Sequence, residues 1–340
     1  MKKLKVGIAG FGIVGKRRMK YINRNKYLKT VAVSDSTFKG DGVFNNGLLY
    51  FNDYKKIFSI ELDILFVCLP NRYAPLATIK GLKNNLHVFC EKPPGRNVKD
   101  IENVIKAEKE NKHLKLKYGF NHRYHKSIIE AKKIIESGTF GEIINFRGVY
   151  GKSKIIPFSG EWRSKRKEAG GGILLDQGIH MLDMILYFSN EFDKVYSFVS
   201  NNFWNHDVED NAYIMMKDRK GRVAMLHSTA TEWRHKFRLE ITLEKAQLEL
   251  SGILSGSKSY GEEKLIITKR NIGNMSTKLI EKRKKYTLDE SWKNEVNEFA
   301  ENIVNNKPII SGNSKDALSV MKLIYMIYKS DKSWKKKFNL

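Results

Sequence analysis

The sequence predicts an α/β protein in two parts: a doubly wound parallel sheet, then an α/β domain on a large open, mostly antiparallel sheet. Three observations carry this. Up to about residue 119, short apolar runs alternate with helical patterns, the grammar of parallel strands joined by right-handed crossovers. The first run leads into Gly10-Phe11-Gly12-Ile13-Val14-Gly15, a glycine-rich turn opening a helix. From about Tyr124 long alternating strands take over, with turn signals such as Asp218-Arg-Lys-Gly221. The expected domains are 1–122 and 123–340.

Taken in order, the first strand starts at Leu4 and its helix near Ile13. In a G-x-G-x-x-G spacing the first glycine allows a tight turn, and the second lets backbone approach a pyrophosphate. The third lets helix pack closely on strand, so phosphate meets unpartnered amides at the positive helix end. A second strand, Thr30–Ser34, ends at Asp35, twenty residues after Gly15. That is the spacing of a carboxylate on an adenosine ribose, and Ser36 follows it. A dinucleotide site is the reading these residues support. The polar stretch to Asn46 has no readable period, and Asp53–Phe58 reads as a short helix.

Asp63–Cys68 is a continuous apolar run, as expected of a strand buried on both faces. It ends at Leu69-Pro70-Asn71, where open α/β sheets place ligands. A helix from about Pro75 to Lys83 precedes the strand His87–Cys90, which stops at Glu91-Lys92-Pro93. The helix Val98–Glu110 and a strand near Leu116–Gly119 complete the first part. Beyond it come a helix Ile128–Ser137, a half-buried strand Ile143–Val149 and a glycine-rich helix start near Gly170. Strands are expected at Val195–Val199, Asn211–Met216, Val223–Thr231, Phe237–Leu243, Ala246–Leu250 and Lys264–Thr268. Helices at about Trp292–Asn305 and Ser314–Lys329 close the chain. No internal repeat is visible.

At 340 residues and 41% hydrophobic, the chain can bury a sizeable core in two domains. No apolar run approaches the roughly 20 residues that span a membrane. Met1-Lys-Lys leads straight into the first strand, leaving no room for a cleaved leader, so a cytoplasmic location is expected. Cys68 and Cys90 both lie in apolar runs and read as buried thiols. The net charge of +25 comes from lysines scattered through every segment. Lys282–Lys285 and Lys335–Lys337 are local clusters without interleaved aromatics, so nucleic acid is not the expected partner. A lysine-heavy proteome bias, with some attraction for an anionic substrate, is the simpler account.

Two stretches could carry chemistry. Lys92 follows a strand end where proline fixes the backbone. A lysine partly desolvated beside a positive nicotinamide would hold its proton less tightly and exchange it near neutrality; the plain alternative is a lysine that pairs with Glu91 or touches phosphate. The second stretch is Gly170-Gly-Gly-Ile-Leu-Leu-Asp176-Gln-Gly-Ile-His180-Met-Leu-Asp183. On a helix Asp176 and His180 share a face one turn apart, and Asp183 continues that stripe beside the apolar Leu175, Ile179, Leu182 and Leu186. A carboxylate beside an imidazole can orient it as a proton acceptor for a hydroxyl, which is the preferred reading. A metal site from Asp176, His180 and Asp183 and a plain core helix remain alternatives; no metal is expected.

In this order, Gly10-x-Gly12-x-x-Gly15, Asp35, Pro70-Asn71, Glu91-Lys92-Pro93, Asn121-His-Arg123-Tyr and Gly170–Asp183 resemble the Gfo/Idh/MocA oxidoreductase family. The resemblance covers essentially the whole chain. It implies a Rossmann domain that binds NAD, less readily NADP, through Gly10–Gly15, Asp35, Ser36, Leu69–Asn71, Glu91, Lys92 and Asn121. It further implies a catalytic set of Lys92, Asp176 and His180, and a second domain whose open sheet mediates dimers or tetramers. Val208-Glu-Asp-Asn211 looks familiar as a structural segment. Where the family often has a histidine three residues after its Pro-Asn turn, this chain has Ala74. The implied reaction moves a hydride between nicotinamide and a secondary hydroxyl of a sugar, polyol or nucleotide sugar. Arg123, Tyr150, Trp162, Arg163 and His180 are the expected substrate contacts, arginine being suited to carboxylate or phosphate. Two other classes stay open: an NAD-dependent glycosidase using transient oxidation, and a non-catalytic NAD-binding regulator.

Overall fold

The computed structural model describes residues 2–154, 162–189, 191–255, 258–270 and 279–340. The chain divides into two compact units: Met1–Phe120 with Lys167–Gly170 and Trp292–Ser319, and Asn121–Arg166 with Gly171–Ser291 and Val320–Leu340.

The first unit runs β1 (Leu4–Ala9), α1 (Ile13–Arg24), β2 (Leu28–Ser34), a small hairpin of β3 (Gly42–Val43) and β4 (Leu49–Phe51), β5 (Ile64–Val67), α2 (Ala74–Lys83), β6 (His87–Glu91), α3 (Val98–Glu110) and β7 (Leu116–Gly119). Its seven strands lie in the order β3-β4-β2-β1-β5-β6-β7, all parallel except the β3–β4 hairpin. The hairpin occupies the stretch without a readable period, because strands of two and three residues are too short to show one. Continuous apolar runs give strands buried on both faces: Ile8, Val33, Phe66 and Phe89 are fully buried, and Phe66 stacks on Phe89 at 4.8 Å. Phe299, from a late helix, closes that core edge-on. Successive strands are added on one side of β1 up to β4 and on the other side from β5 onward, so the β1–β5 boundary is the switch point where a parallel sheet opens a crevice at its carboxyl edge.

The elements that follow are α4 (Lys126–Glu136), β8 (Ile143–Ser153), a one-turn α5 (Arg166–Ala169), a π-helical turn at Leu174–Gly178 and α6 (Ile179–Phe188). After them come β9 (Lys194–Ser200), β10 (Asn211–Lys217), β11 (Val223–Glu232), β12 (Lys236–Leu243), β13 (Ala246–Ser251), β14 (Glu263–Arg270) and β15 (Leu279–Tyr286). Three helices end the chain: α7 (Ser291–Val304), α8 (Ser314–Ser330) and α9 (Lys332–Phe338). The eight strands lie in the order β15-β14-β13-β12-β8-β11-β10-β9, antiparallel throughout except for the parallel β8–β11 pair. β15 and α9 were not expected. Both carry the lysine clusters, and an edge strand defended by exposed lysines reads in sequence as a solvated charge run.

One face of this sheet is covered: Ser197 of β9 donates to the Ile327 carbonyl of α8. The other is open and apolar at one end. Tyr196, Met215 and Met225 stand in register across β9, β10 and β11, and Phe198, Tyr213 and His227 form the next row. Tyr196 and Phe198 are 75% and 79% exposed, and the Tyr213 and His227 rings stack at 3.9 Å. No helix among the described residues is long and apolar enough to cross a membrane.

Candidate active site

Within the first unit, the residues expected to hold a dinucleotide follow the carboxyl ends of β1, β2, β5 and β6. Gly10 turns at φ +93°, where a Cβ would strike the Cys68 carbonyl oxygen at 2.3 Å. A Cβ on Gly15 would lie 2.0 Å from the Gly10 carbonyl oxygen, so helix α1 sits directly on the turn. On Gly12 a Cβ would meet nothing within 4 Å. Its open backbone is the cradle into which a pyrophosphate fits and a side chain would intrude. Ile13 is exposed and Val14 half-buried beside it.

Asp35 does local work as well. Its carboxylate accepts from the Phe11 amide at 2.8 Å and from the Thr37 amide and hydroxyl at 3.0 and 2.7 Å. It thereby ties the end of β2 to the glycine loop, with exposed Ser36 alongside. After β5, Leu69 leads to Pro70, whose carbonyl caps α2 through the Tyr73 and Ala74 amides, and buried Asn71 donates to the Ala169 carbonyl at 2.7 Å. These residues fit a dinucleotide.

Glu91 is committed inside the unit. Its carboxylate takes the Nε of Arg18 at 2.5 Å, and the same guanidinium reaches Glu295 at 2.7 Å through Nη2. Arg18 is fully buried between the Phe89 and Trp292 rings, 4.4 and 4.3 Å from their centroids. Burial pushes the Glu295 carboxyl up to about 7, against the pull of Arg18. Glu91 therefore fixes the strand end from which half-buried Lys92 follows, across a cis bond to Pro93. Cys68 and Cys90 are thiols without a disulfide, and burial pushes Cys90 up to about 12, which leaves it unreactive.

The second unit holds the glycine-rich stretch. Glu209 fastens it, accepting from the Gly172 and Leu174 amides at 2.8 and 3.0 Å and from the Tyr328 hydroxyl at 2.7 Å. Asp210 likewise accepts from the Phe203 and Trp204 amides. The geometry of Val208–Asn211 is that of a structural clamp. The expected regular helix starts differently: Leu174–Gly178 takes one π turn, and α spacing begins only at Ile179. Half-buried Asp176 thus sits within a widened turn, and buried His180 follows it at the start of α6. Asp183, three residues beyond His180 on α6, is buried in a two-pronged pair with Arg123, at 2.9 and 2.6 Å. That pair commits Arg123, expected at the substrate, to the helix carrying His180. Among the described residues no group of three or more His, Cys, Asp or Glu could hold a metal ion.

Beside His180 the structure gathers the expected Tyr150 together with His122, Lys152 and His235, which the sequence did not single out. The His122 ring stacks on His180 with centroids 3.7 Å apart and planes 16° from parallel. His122 Nε2 is 3.1 Å from the Tyr150 hydroxyl and its Nδ1 3.3 Å from Asn121 Oδ1. Asn121, expected at the cofactor, also donates to the Ser291 hydroxyl at 3.3 Å. Tyr150 is buried edge-on to Phe237 and Tyr260, and Tyr260 donates to Gln177 at 2.9 Å. Lys152 is half-buried two residues along the same strand face; burial pushes its ammonium down, with Asp176 opposing and Arg163 adding to the shift. His235 lies edge-on to Tyr260 at 4.7 Å. Exposed Arg163 lies over the Trp162 ring at 4.4 Å. Lys152 escaped notice because the alternation of Ile143–Val149 runs on to Ser153, four residues past its expected end.

Residues 4–120 match the model of an oxidoreductase family with an NAD-binding Rossmann fold, and residues 128–249 match the GFO/IDH/MocA C-terminal domain. The D-glucoside 3-dehydrogenase of Escherichia coli K12 is 28% identical over 189 residues, 54% of this chain and 53% of that protein, so the chain matches about half of that relative's length. The inositol 2-dehydrogenase of Salmonella typhimurium LT2 is 23% identical over 264 residues, covering 75% of this chain and 76% of that one. Among solved structures, myo-inositol 2-dehydrogenase from Lactobacillus plantarum superposes with a TM-score of 0.77 at 22% identity, over 97% of this chain and 98% of that one.

Proposed function

Because the chain belongs to the Gfo/Idh/MocA oxidoreductase family, we propose that it oxidises a secondary hydroxyl of a sugar, polyol or nucleotide sugar with NAD. The observation that carries the cofactor reading is the bare backbone of Gly12 beside the Asp35 carboxylate. That carboxylate would accept the ribose hydroxyls and repel a 2′-phosphate, which favours NAD over NADP. When bound, the nicotinamide supplies the hydride acceptor. His180 removes the hydroxyl proton, assisted by Asp176 or Lys92, and Tyr150 stays a neutral phenol because burial holds its proton. Lys152, which feels both the Asp176 carboxylate and the Arg163 guanidinium, supports with Arg163 an acidic or nucleotide-linked sugar. The open Tyr196–Met225 face supports a homodimer or homotetramer through the second sheet; the location proposed is the cytoplasm.

The test is the appearance of reduced-nicotinamide absorbance when the protein and NAD meet a panel of polyols, aldoses, glycosides and nucleotide sugars, with the Lys92→Met variant alongside. Signal with one class, lost in the variant while NAD affinity stays within a few fold, supports the reading. Turnover that survives in the variant removes Lys92 from the catalytic set. Cleavage of an aryl glycoside without net NADH would replace the dehydrogenase by a glycosidase.

A further inference from the structure

We infer that His122 is a positioning residue for His180, holding its ring in plane and offering a neutral aromatic face to the imidazolium it becomes. This rests on the reading of His180 as the proton acceptor.

Three contacts clamp the short 3-10 turn Asn121–Tyr124 that carries His122. Asn121 donates to Ser291, Arg123 forks onto Asp183, and the His125 ring that follows pairs with Glu263 on β14 at 2.8 Å. Asp183 lies three residues after His180, on the neighbouring position of the same helix face. The Arg123–Asp183 fork therefore grips α6 one turn beyond His180, and His122 is brought flat against the ring. Both rings are buried, 7% and 5% exposed. The stack at 3.7 Å leaves His180 no room to swing about its side-chain torsions toward His122.

The partners of His122 suit an uncharged ring. Tyr150 is a phenol whose proton burial retains, so it has a proton to offer Nε2. Asn121 turns its amide nitrogen to Ser291, leaving Oδ1 to accept from the Nδ1–H. Both ring nitrogens are satisfied by a neutral tautomer. Other groups around the stack include the His125–Glu263 pair, whose imidazole lies edge-on to His122 at 5.5 Å, and the Phe237 ring of β12 at 6.2 Å from His122, with Asp176 one turn before His180 in the chain. A second positive ring would repel the protonated His180; a neutral one attracts it through its π face. His180 is thus both better oriented and more basic than it would be alone.

The experiment is an NMR pH titration of the histidine ring protons, with the His180 resonance identified by its loss in His180→Gln. It needs no substrate, so absence of turnover in the dehydrogenase assay and failure of this inference are separate results. His122→Leu is expected to weaken proton binding at His180 by about threefold or more, while His122→Phe keeps a stacked neutral ring and leaves the midpoint within twofold. Tyr150→Phe frees His122 to take up a proton, so the His180 midpoint should fall there too; this variant decides if the leucine variant does not fold. An unmoved midpoint in His122→Leu or Tyr150→Phe overturns the inference, as does an equal shift in His122→Phe. Where a substrate is found, the acid limb of kcat/KM should move with the midpoint.

Discussion

Replacing Glu295 by Gln should remove a pH-dependent loss of stability of about 3 kcal/mol between about pH 4.5 and pH 7. Arg18 is a single buried cation between two carboxylates, at 2.5 Å from Glu91 and 2.7 Å from Glu295. One guanidinium can neutralise one of them, and the other is left with a cost of desolvation. Glu295 is the more deeply buried, its Oε1 has no hydrogen-bond partner, and burial outweighs the attraction of Arg18 and Lys117. Its carboxyl therefore moves from the ordinary 4.5 to about 7. Below 4.5 both folded and unfolded chains are protonated there, and the contribution is fully present. Above it the unfolded chain releases the proton while the folded chain keeps it, so stability falls by about 1.4 kcal/mol per pH unit until the folded carboxyl ionises near 7. Glutamine cannot titrate and keeps an oxygen for Arg18. Urea unfolding of both proteins at half-unit pH steps gives the difference directly; Glu108 and Glu209, also pushed up by burial, cancel in it. The variant should gain on the parent through this window and hold its gain above it. Parallel curves, or a parent that gains on the variant as pH rises, would refute the reasoning and mean an ionised Glu295 paired to Arg18.

Two glycine substitutions should separate folding from binding. Gly15→Ala forces its methyl against the Gly10 carbonyl and should lower stability by several kcal/mol, whereas Gly12→Ala should unfold at the parent's temperature and lose at least about tenfold in NAD affinity; calorimetry and a fluorescence titration read the two. Glu209→Ala strands two amides and the Tyr328 hydroxyl in the interior, an expected loss of about 2–4 kcal/mol in chemical unfolding. Met215→Lys with Phe198→Lys places two charges on the open sheet face, and analytical centrifugation should show the assembly become a monomer. A parent that already sediments as a monomer would remove the proposed assembly.

What was legible in the sequence followed period and punctuation. The alternating first unit, the strand ends and the helix Val98–Glu110 came from apolar runs bounded by turn residues, and they stand where they were expected. The mostly antiparallel second sheet came from the same source. Short or charge-rich elements did not show: β3 and β4 are too brief, and β15 hides its strand period under lysines. The π turn was invisible because Leu174–Gly178 has the same residue types as a regular helix start; what widens it is tertiary, including the Glu209 clamp and Gly178 pressed to within a Cβ's 2.6 Å of the Ser228 hydroxyl. Charge partners were equally hidden. Arg18 with Glu295 and Arg123 with Asp183 are 277 and 60 residues apart, and nothing local marks them as pairs.

Those hidden partners share one arrangement. Each residue proposed to handle a proton stands next to a buried polar group that a distant part of its own unit has fixed. Lys92 follows Glu91, which Arg18 holds; His180 lies three residues before Asp183, which Arg123 holds; Asp176 sits in the turn that Glu209 holds. A hydrophobic core sets a side chain to within a rotamer, but it is tolerant of small shifts, because dispersion contacts are individually weak and non-directional. A fork of charge-assisted hydrogen bonds has one geometry and loses several kcal/mol if half of it is removed. Removing Arg18, Arg123 or Glu209 should therefore cost both stability and turnover, since the strand end, the helix turn or the π turn moves with its clamp. Conservative exchange that keeps the charge but not the fork, Arg123→Lys, is the sharper case. It should fold with a modest loss, lower kcat more than it raises KM, and shift the His180 titration, because the helix is still held near Asp183 but no longer in one orientation.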